Sequence, residues 1–100
     1  MTGCEKEAIK NELIAYLRSE NEIKKIVVFG SFIHADDPND MDVAIFQTSN
    51  ESYLHLAMKY RGLIRKLAKK IAIDIIPIRP DPGDSMLLSE IENGEVVYER

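Results

Sequence analysis

Asn39-Asp40-Met41-Asp42-Val43-Ala44-Ile45-Phe46 sets two carboxylates at the entrance of an otherwise apolar run. The apolar, partly β-branched residues from Met41 to Phe46 predict a strand. Alternate side chains of a strand share a face, so Asp40 and Asp42 point the same way, about 6–7 Å apart along the chain. Two anions on one face repel each other and resist joint ionisation without a counter-charge. Upstream, Ile26-Val27-Val28-Phe29 reads as a short buried strand stopped by Gly30, with Ser31 next. A strand-to-helix junction that opens with Gly and Ser offers backbone N–H groups and a hydroxyl, and glycine admits a phosphate close to the backbone. Downstream, Ile71 to Ile78 forms a further strand ended by Pro77 and Pro80, with Asp74 inside its apolar run. Such a run is expected to be central and buried on both faces. An unpaired carboxylate there costs several kcal/mol.

If these two acid-bearing strands are neighbours, Asp40, Asp42 and Asp74 converge on one patch. Hard oxygen donors of this kind suit Mg²⁺, which also takes phosphate oxygens, and strands hold such ligands rigidly. Two plainer roles compete with this. Asp40 can cap the loop Asp36-Asp37-Pro38-Asn39, and Asp74 can pair with a basic side chain.

The remaining segments frame these strands. Thr2 and Glu5 have capping-box spacing ahead of a helix from about Glu5 to Ser19, whose apolar stripe is Ile9, Leu13, Tyr16 and Leu17. Thr48 and Glu51 repeat that spacing and predict a long helix to about Lys69, burying Tyr53, Ala57, Tyr60, Ile64 and Leu67. Its basic cluster, Lys59, Arg61, Arg65, Lys66, Lys69 and Lys70, reads as a solvated face favoured by the helix macrodipole, with a phosphate- or RNA-binding patch the alternative. Asp84 caps a short helix through Ile91, Asn93-Gly94 supplies a left-handed stop, and Glu95 to Tyr98 forms a weak last strand. Phe32, Met58, Met86 and Tyr98 are expected to pack, with an interface the alternative for some of them. His34 reads as an exposed loop residue, with contact to a phosphate as imidazolium the alternative, and His55 receives no role. The order implies an α/β (α+β) class: one domain over residues 1–100, a small mixed β-sheet of three to four strands flanked by helices. Strand order is not encoded in this pattern.

Hydrophobic residues at 45% and charged residues at 30% describe a globular chain, not a disordered one. A net charge of −4 argues against gripping nucleic acid by charge alone, although bound metal can reverse the sign of a site locally. Cys4 is the single cysteine, so internal disulfides and four-cysteine zinc centres are excluded. The opening MTGCEKEAIK lacks a signal-peptide core, and no apolar stretch approaches the roughly 20 residues of a membrane span. A cytoplasmic protein with no membrane partner is expected.

Gly30-Ser31, Asp40-x-Asp42 with apolar flanks, and a single Asp74 on a later strand together resemble the DNA polymerase β-like nucleotidyltransferase superfamily, close to its minimal nucleotidyltransferases. The resemblance spans about Ile26 to Glu99 and implies a nucleotidyltransferase-like fold. It also implies that Gly30 and Ser31 hold the β- and γ-phosphates of ATP, and that Asp40 and Asp42 bind two Mg²⁺ ions. Asp74 would join one ion and help deprotonate an acceptor hydroxyl, AMP would pass to that hydroxyl, and pyrophosphate would leave. Many relatives carry Arg at the third and fifth positions of the Gly-Ser segment and glycine after it. Here Phe32, His34 and Ala35 stand there, so triphosphate is held weakly or by other groups.

In the family resembled, many members are antitoxins that adenylylate a tyrosine of a HEPN-domain ribonuclease toxin. A HEPN-type protein partner is accordingly expected, besides the nucleoside triphosphate. The alternative is a catalytically weak or inactive module of the same fold that neutralises or scaffolds a protein partner. Direct nucleic-acid binding ranks last, and self-association stays open.

Overall fold

The computed structural model describes residues 2–79, 89 and 91–100. Helix α1 (Gly3–Leu17) leads into β1 (Ile23–Phe29), a single helical turn α2 (Ser31–His34) and β2 (Asp40–Gln47). Helix α3 (Tyr53–Leu63), a 3-10 turn (Leu67–Lys69), β3 (Ala72–Ile78) and β4 (Glu95–Glu99) complete the order. The sheet runs β3-β2-β1-β4, with β2 and β3 parallel and the other two pairs antiparallel. The mixed four-stranded α+β architecture is the one expected. Among the described residues no helix is long and apolar enough to cross a membrane.

Period-two alternation sorts the sheet into two faces. On one, Ile26 and Val28 of β1, Met41, Val43 and Ile45 of β2 and Ile75 of β3 meet α1, α2 and α3 through Leu13, Leu17, Phe32, Leu56 and Tyr60. Each such side chain, fully withdrawn from water, contributes about 1.5–3 kcal/mol. On the other, Val27, Phe29, Ala44 and Ile78 meet Ile91. Asp40 and Asp42 of β2 and Asp74 of β3 fall on this second face, by their even spacing from Ala44 and Ile78.

Helix α1 forms as its pattern dictates: the Thr2 hydroxyl accepts from Glu5 N at 3.1 Å, and Ile9, Leu13 and Leu17 are buried. Cys4 lies exposed in its first turn. Lys10 ties α1 to the β4 edge through Glu95 at 2.7 Å and to Glu7 at 2.6 Å. Burial pulls its ammonium down, but the two carboxylates outweigh that and raise it above the usual 10.5.

Several expectations are corrected. Ser52, not Thr48, caps α3 by accepting from His55 N at 3.2 Å. Thr48 N is bound to Glu22 O at 3.0 Å, and Glu51 N is taken by Ser49 Oγ at 3.1 Å, so both members of the expected capping box are engaged elsewhere. The helix stops at Leu63 and does not run to Lys69. The chain turns there, with Ile64 N bonded back to Tyr60 and Gly62, before the separate 3-10 turn. Tyr53 is exposed because it precedes the part of α3 that lies over the sheet, and Leu56 fills the position next to Tyr60; Met58 is likewise exposed, facing away from the core. Gly94 has no positive φ; the left-handed glycine among the described residues is Gly30. Gly94 is needed for proximity instead, since a Cβ there would lie 2.6 Å from Val28 O and 2.7 Å from Phe29 Cβ. The expected cap at Asp84, Met86 and the stop at Pro80 lie outside the described residues. Pro77 sits within β3 rather than ending it, which an outer strand tolerates.

Candidate active site

The site is built where β1 ends and β2 and β3 begin. Phe29, the last residue of β1, pairs with Asp42, and Gly30 then turns the chain into α2 with φ 76° and ψ −151°. That conformation is close to glycine-only territory. It lets the Asp42 carboxylate lie directly against the backbone: a Cβ at residue 30 would stand 2.5 Å from Asp42 Oδ2. Ser31 follows, exposed, as the first residue of α2. The far end of α2 is pinned by Lys6, whose ammonium donates to Ala35 O at 2.6 Å and lies 5.8 Å from the Phe32 ring centre. Phe32, at a position where many relatives carry Arg, is fully buried and anchors this turn in the core.

The parallel ladder sets Asp42 opposite Asp74 and Asp40 opposite Ala72. Adjacent strands lie about 4.8 Å apart, so the Asp42 and Asp74 side chains leave neighbouring backbones on the same face. The adjacency expected of the two acid-bearing strands is therefore present. The burial expected of Asp74 is not: β3 is an outer strand of the described sheet and Asp74 is exposed, as is Asp40, while Asp42 is half-buried. The apolar run of β3 arises because Ile73, Ile75 and Ile78 pack against the two cores, whereas Ala72 and Asp74 stand exposed at the start of the strand. Among the described residues no basic side chain pairs with Asp40 or Asp74. Among them, too, no three carboxylate, imidazole or thiol groups stand close enough to form a ready-made metal centre.

A cleft of about 310 Å³ opens beside these residues, lined by Phe29, Gly30, His34, Asp42 and Asn93. Asn93 was read from sequence as part of a helix stop. Its place here follows from β4 pairing antiparallel to β1, Val28 opposite Glu95, with Gly94 close against Val28 and Phe29. His34 is exposed as expected, yet it lines the cleft from the end of α2. His34 is brought there locally, four residues after Gly30 in the segment the sequence already marks, whereas no local signal marks Asn93, which reaches the cleft through pairing across the sheet. A second cleft of about 270 Å³, lined by Gln47, Tyr53, Pro77 and Arg79 among others, lies at the opposite end of β2, away from the acids.

The profile of the family described as polymerase beta, nucleotidyltransferase, matches residues 11–100. No curated protein matches in sequence. Solved structures match in fold. A Shewanella oneidensis complex of tri-AMPylated HEPN toxin with MNT antitoxin is 19% identical, with a TM-score of 0.62 over 95% of this chain and 73% of that one. The toxin–antitoxin MntA-HepT is 18% identical, with a TM-score of 0.62 over 94% and 73%. A toxin–antitoxin structure with AMP-PNP is 21% identical, with a TM-score of 0.59 over 91% and 73%. The match covers every described strand and the whole Gly30–Asp42–Asp74 neighbourhood, so the chain belongs to the polymerase beta nucleotidyltransferase family.

Proposed function

We propose that the chain is a Mg²⁺-dependent adenylyltransferase that moves AMP from ATP to a hydroxyl of a HEPN-type protein, as the cytoplasmic antitoxin of a HEPN/MNT pair. The observation that carries this reading is the half-buried Asp42, lying against the left-handed Gly30 and in register with Asp74 at the edge of a cleft. Family membership supports the reaction class. The tri-AMPylated HEPN toxin and the AMP-PNP complex among the structural relatives support the adenylyl group, the nucleotide and the partner.

The donor set fits a divalent cation: Asp40, Asp42 and Asp74 offer hard oxygens from one face of two adjacent strands. Three like charges on one face repel, so the side chains gather only around a counter-charge. Two Mg²⁺ ions held there would stabilise charge on the entering and departing oxygens.

The remaining roles belong to the chain itself. Gly30 leaves room for a phosphate to approach the backbone, and the Ser31 hydroxyl and N–H orient it. The cleft beside Asp42 takes the rest of the nucleotide, between Phe29, His34 and Asn93. Asp74, exposed at the outer strand, is open to a protein-borne acceptor and accepts the proton of its hydroxyl as that oxygen attacks the α-phosphorus; pyrophosphate leaves.

One observation favours a module without chemistry: among the described residues no Lys or Arg lines the cleft, and Phe32 is committed to the core. Incubation with ATP, Mg²⁺ and a HEPN-domain protein from the same genome separates the readings by intact mass. Addition of AMP units to the partner is expected, abolished by Asp42→Asn and by Asp74→Asn. A partner that is bound but unchanged in mass would leave the non-catalytic module.

A further inference from the structure

Four of the five exposed large hydrophobics among the described residues, Tyr53, Leu54, Met58 and Leu63, belong to α3. At 100° per residue, Leu54, Met58 and Arg61 fall on one stripe of α3, opposite the buried Leu56 and Tyr60, and Arg65 follows in the turn just beyond the helix. Met58, Arg61, Gly62 and Arg65 line a shallow depression of about 330 Å³.

The charge on this face is one-sided. In a chain of net charge −4, residues 53–70 carry six Lys or Arg and no Asp or Glu. Two of the six serve the fold: Lys59 pairs with Glu20 and Glu22, and Lys70 with Glu12. Arg61, Arg65, Lys66 and Lys69 are exposed, and no carboxylate of the described residues pairs with them. Gly62 is the third oddity. Glycine weakens a helix, and a Cβ at this position would meet nothing within 4 Å, so packing inside the chain does not require it. A glycine on the floor of a basic and apolar depression suits the close approach of another helix.

We propose that the outward face of α3 is the docking surface for an amphipathic, acidic helix of the protein partner, with apolar side chains on Leu54 and Met58 and carboxylates on Arg61 and Arg65. This rests on the partner reading above and extends it by naming the surface. A second copy of this chain is disfavoured, because a two-fold contact would set Arg61 and Arg65 against their own kind. RNA is disfavoured by the aliphatic stripe, which offers bases little to stack on. The face lies on the opposite side of the sheet from Asp42 and Asp74, so docking and transfer use separate surfaces.

The test is calorimetry of the full chain against a HEPN-domain protein from the same genome, at low and high salt. Arg61→Glu/Arg65→Glu weakens binding about tenfold or more, and wild-type binding weakens with salt. Gly62→Ala melts several degrees higher yet binds less tightly, which separates a docking defect from a folding one. Wild-type affinity in all variants overturns the surface and leaves the partner reading standing. No binding by the wild-type chain overturns both. A dimer, or single-stranded RNA binding, that the double variant abolishes while HEPN binding persists reassigns the face and overturns the proposal.

Discussion

Replacing Gly30 by alanine strikes the site at one atom. Residue 30 has φ 76° and ψ −151°, where a side chain costs about 1–3 kcal/mol of backbone strain. The new Cβ would also sit 2.5 Å from Asp42 Oδ2, so the carboxylate must retreat by roughly 1 Å to reach ordinary contact, a displacement that costs about 100-fold in rate when the group is catalytic. Gly30→Ala is therefore expected to lower the melting temperature by about 4–8 °C for each kcal/mol of strain. At a temperature where it remains folded, it should transfer AMP about 100-fold more slowly. The assay is transfer of labelled AMP to the HEPN-domain partner, run beside thermal unfolding of the same preparations. Asp42→Asn is the companion: it should lose transfer while melting close to wild type, because it keeps the shape of the side chain. A Gly30→Ala variant that melts and transfers like the wild type would refute the view that this glycine exists to let Asp42 approach.

Gly94→Ala should destabilise the chain by about 1–3 kcal/mol, since its Cβ meets Val28 O and Phe29 Cβ well inside contact distance; an unchanged urea midpoint would count against this. Lys59 and Tyr60 both contribute to alkaline stability. Hydrogen bonds to Glu22 and Glu20 hold the Lys59 ammonium above its usual 10.5, and burial followed by the Glu22 charge pushes the Tyr60 hydroxyl above its usual 10.0. Both groups bind protons more tightly folded than unfolded, so their contribution is complete below about pH 10 and erodes above it. A melting temperature unchanged from pH 8 to well above 10 would refute that linkage. Glu22 acts in the opposite direction. Burial raises its carboxyl, but the bond from Lys59 at 2.8 Å outweighs this and holds it below the usual 4.5, so its contribution is lost as pH falls through that lowered value. Lys59→Met should remove this acid dependence, which a melting series from pH 6 to 3 would show.

What the sequence by itself determined is local. Helix α1, its Thr2 cap and its buried stripe follow from spacing within a few turns. So do the strand that stops at Gly30, the shared face of Asp40 and Asp42, and the family resemblance those residues carry. Such features depend on the 3.6- and 2-residue periods of single elements, which neighbours in sequence define. The capping assignment at Thr48 failed even locally, because Ser52 lay within reach of His55 N while Glu22 held Thr48 just past the end of β2. Only the tertiary structure decided that Asp74 stands opposite Asp42, that β3 is an outer strand leaving that acid exposed, and that Asn93 and Gly94 close against Phe29. It also decided that Met58 and Arg61 face outward together. The physical reason is that a strand's hydrogen-bonding edges are chemically alike whichever chain pairs with them. Partner and register are selected by how whole faces bury their apolar side chains, a balance summed over segments tens of residues apart.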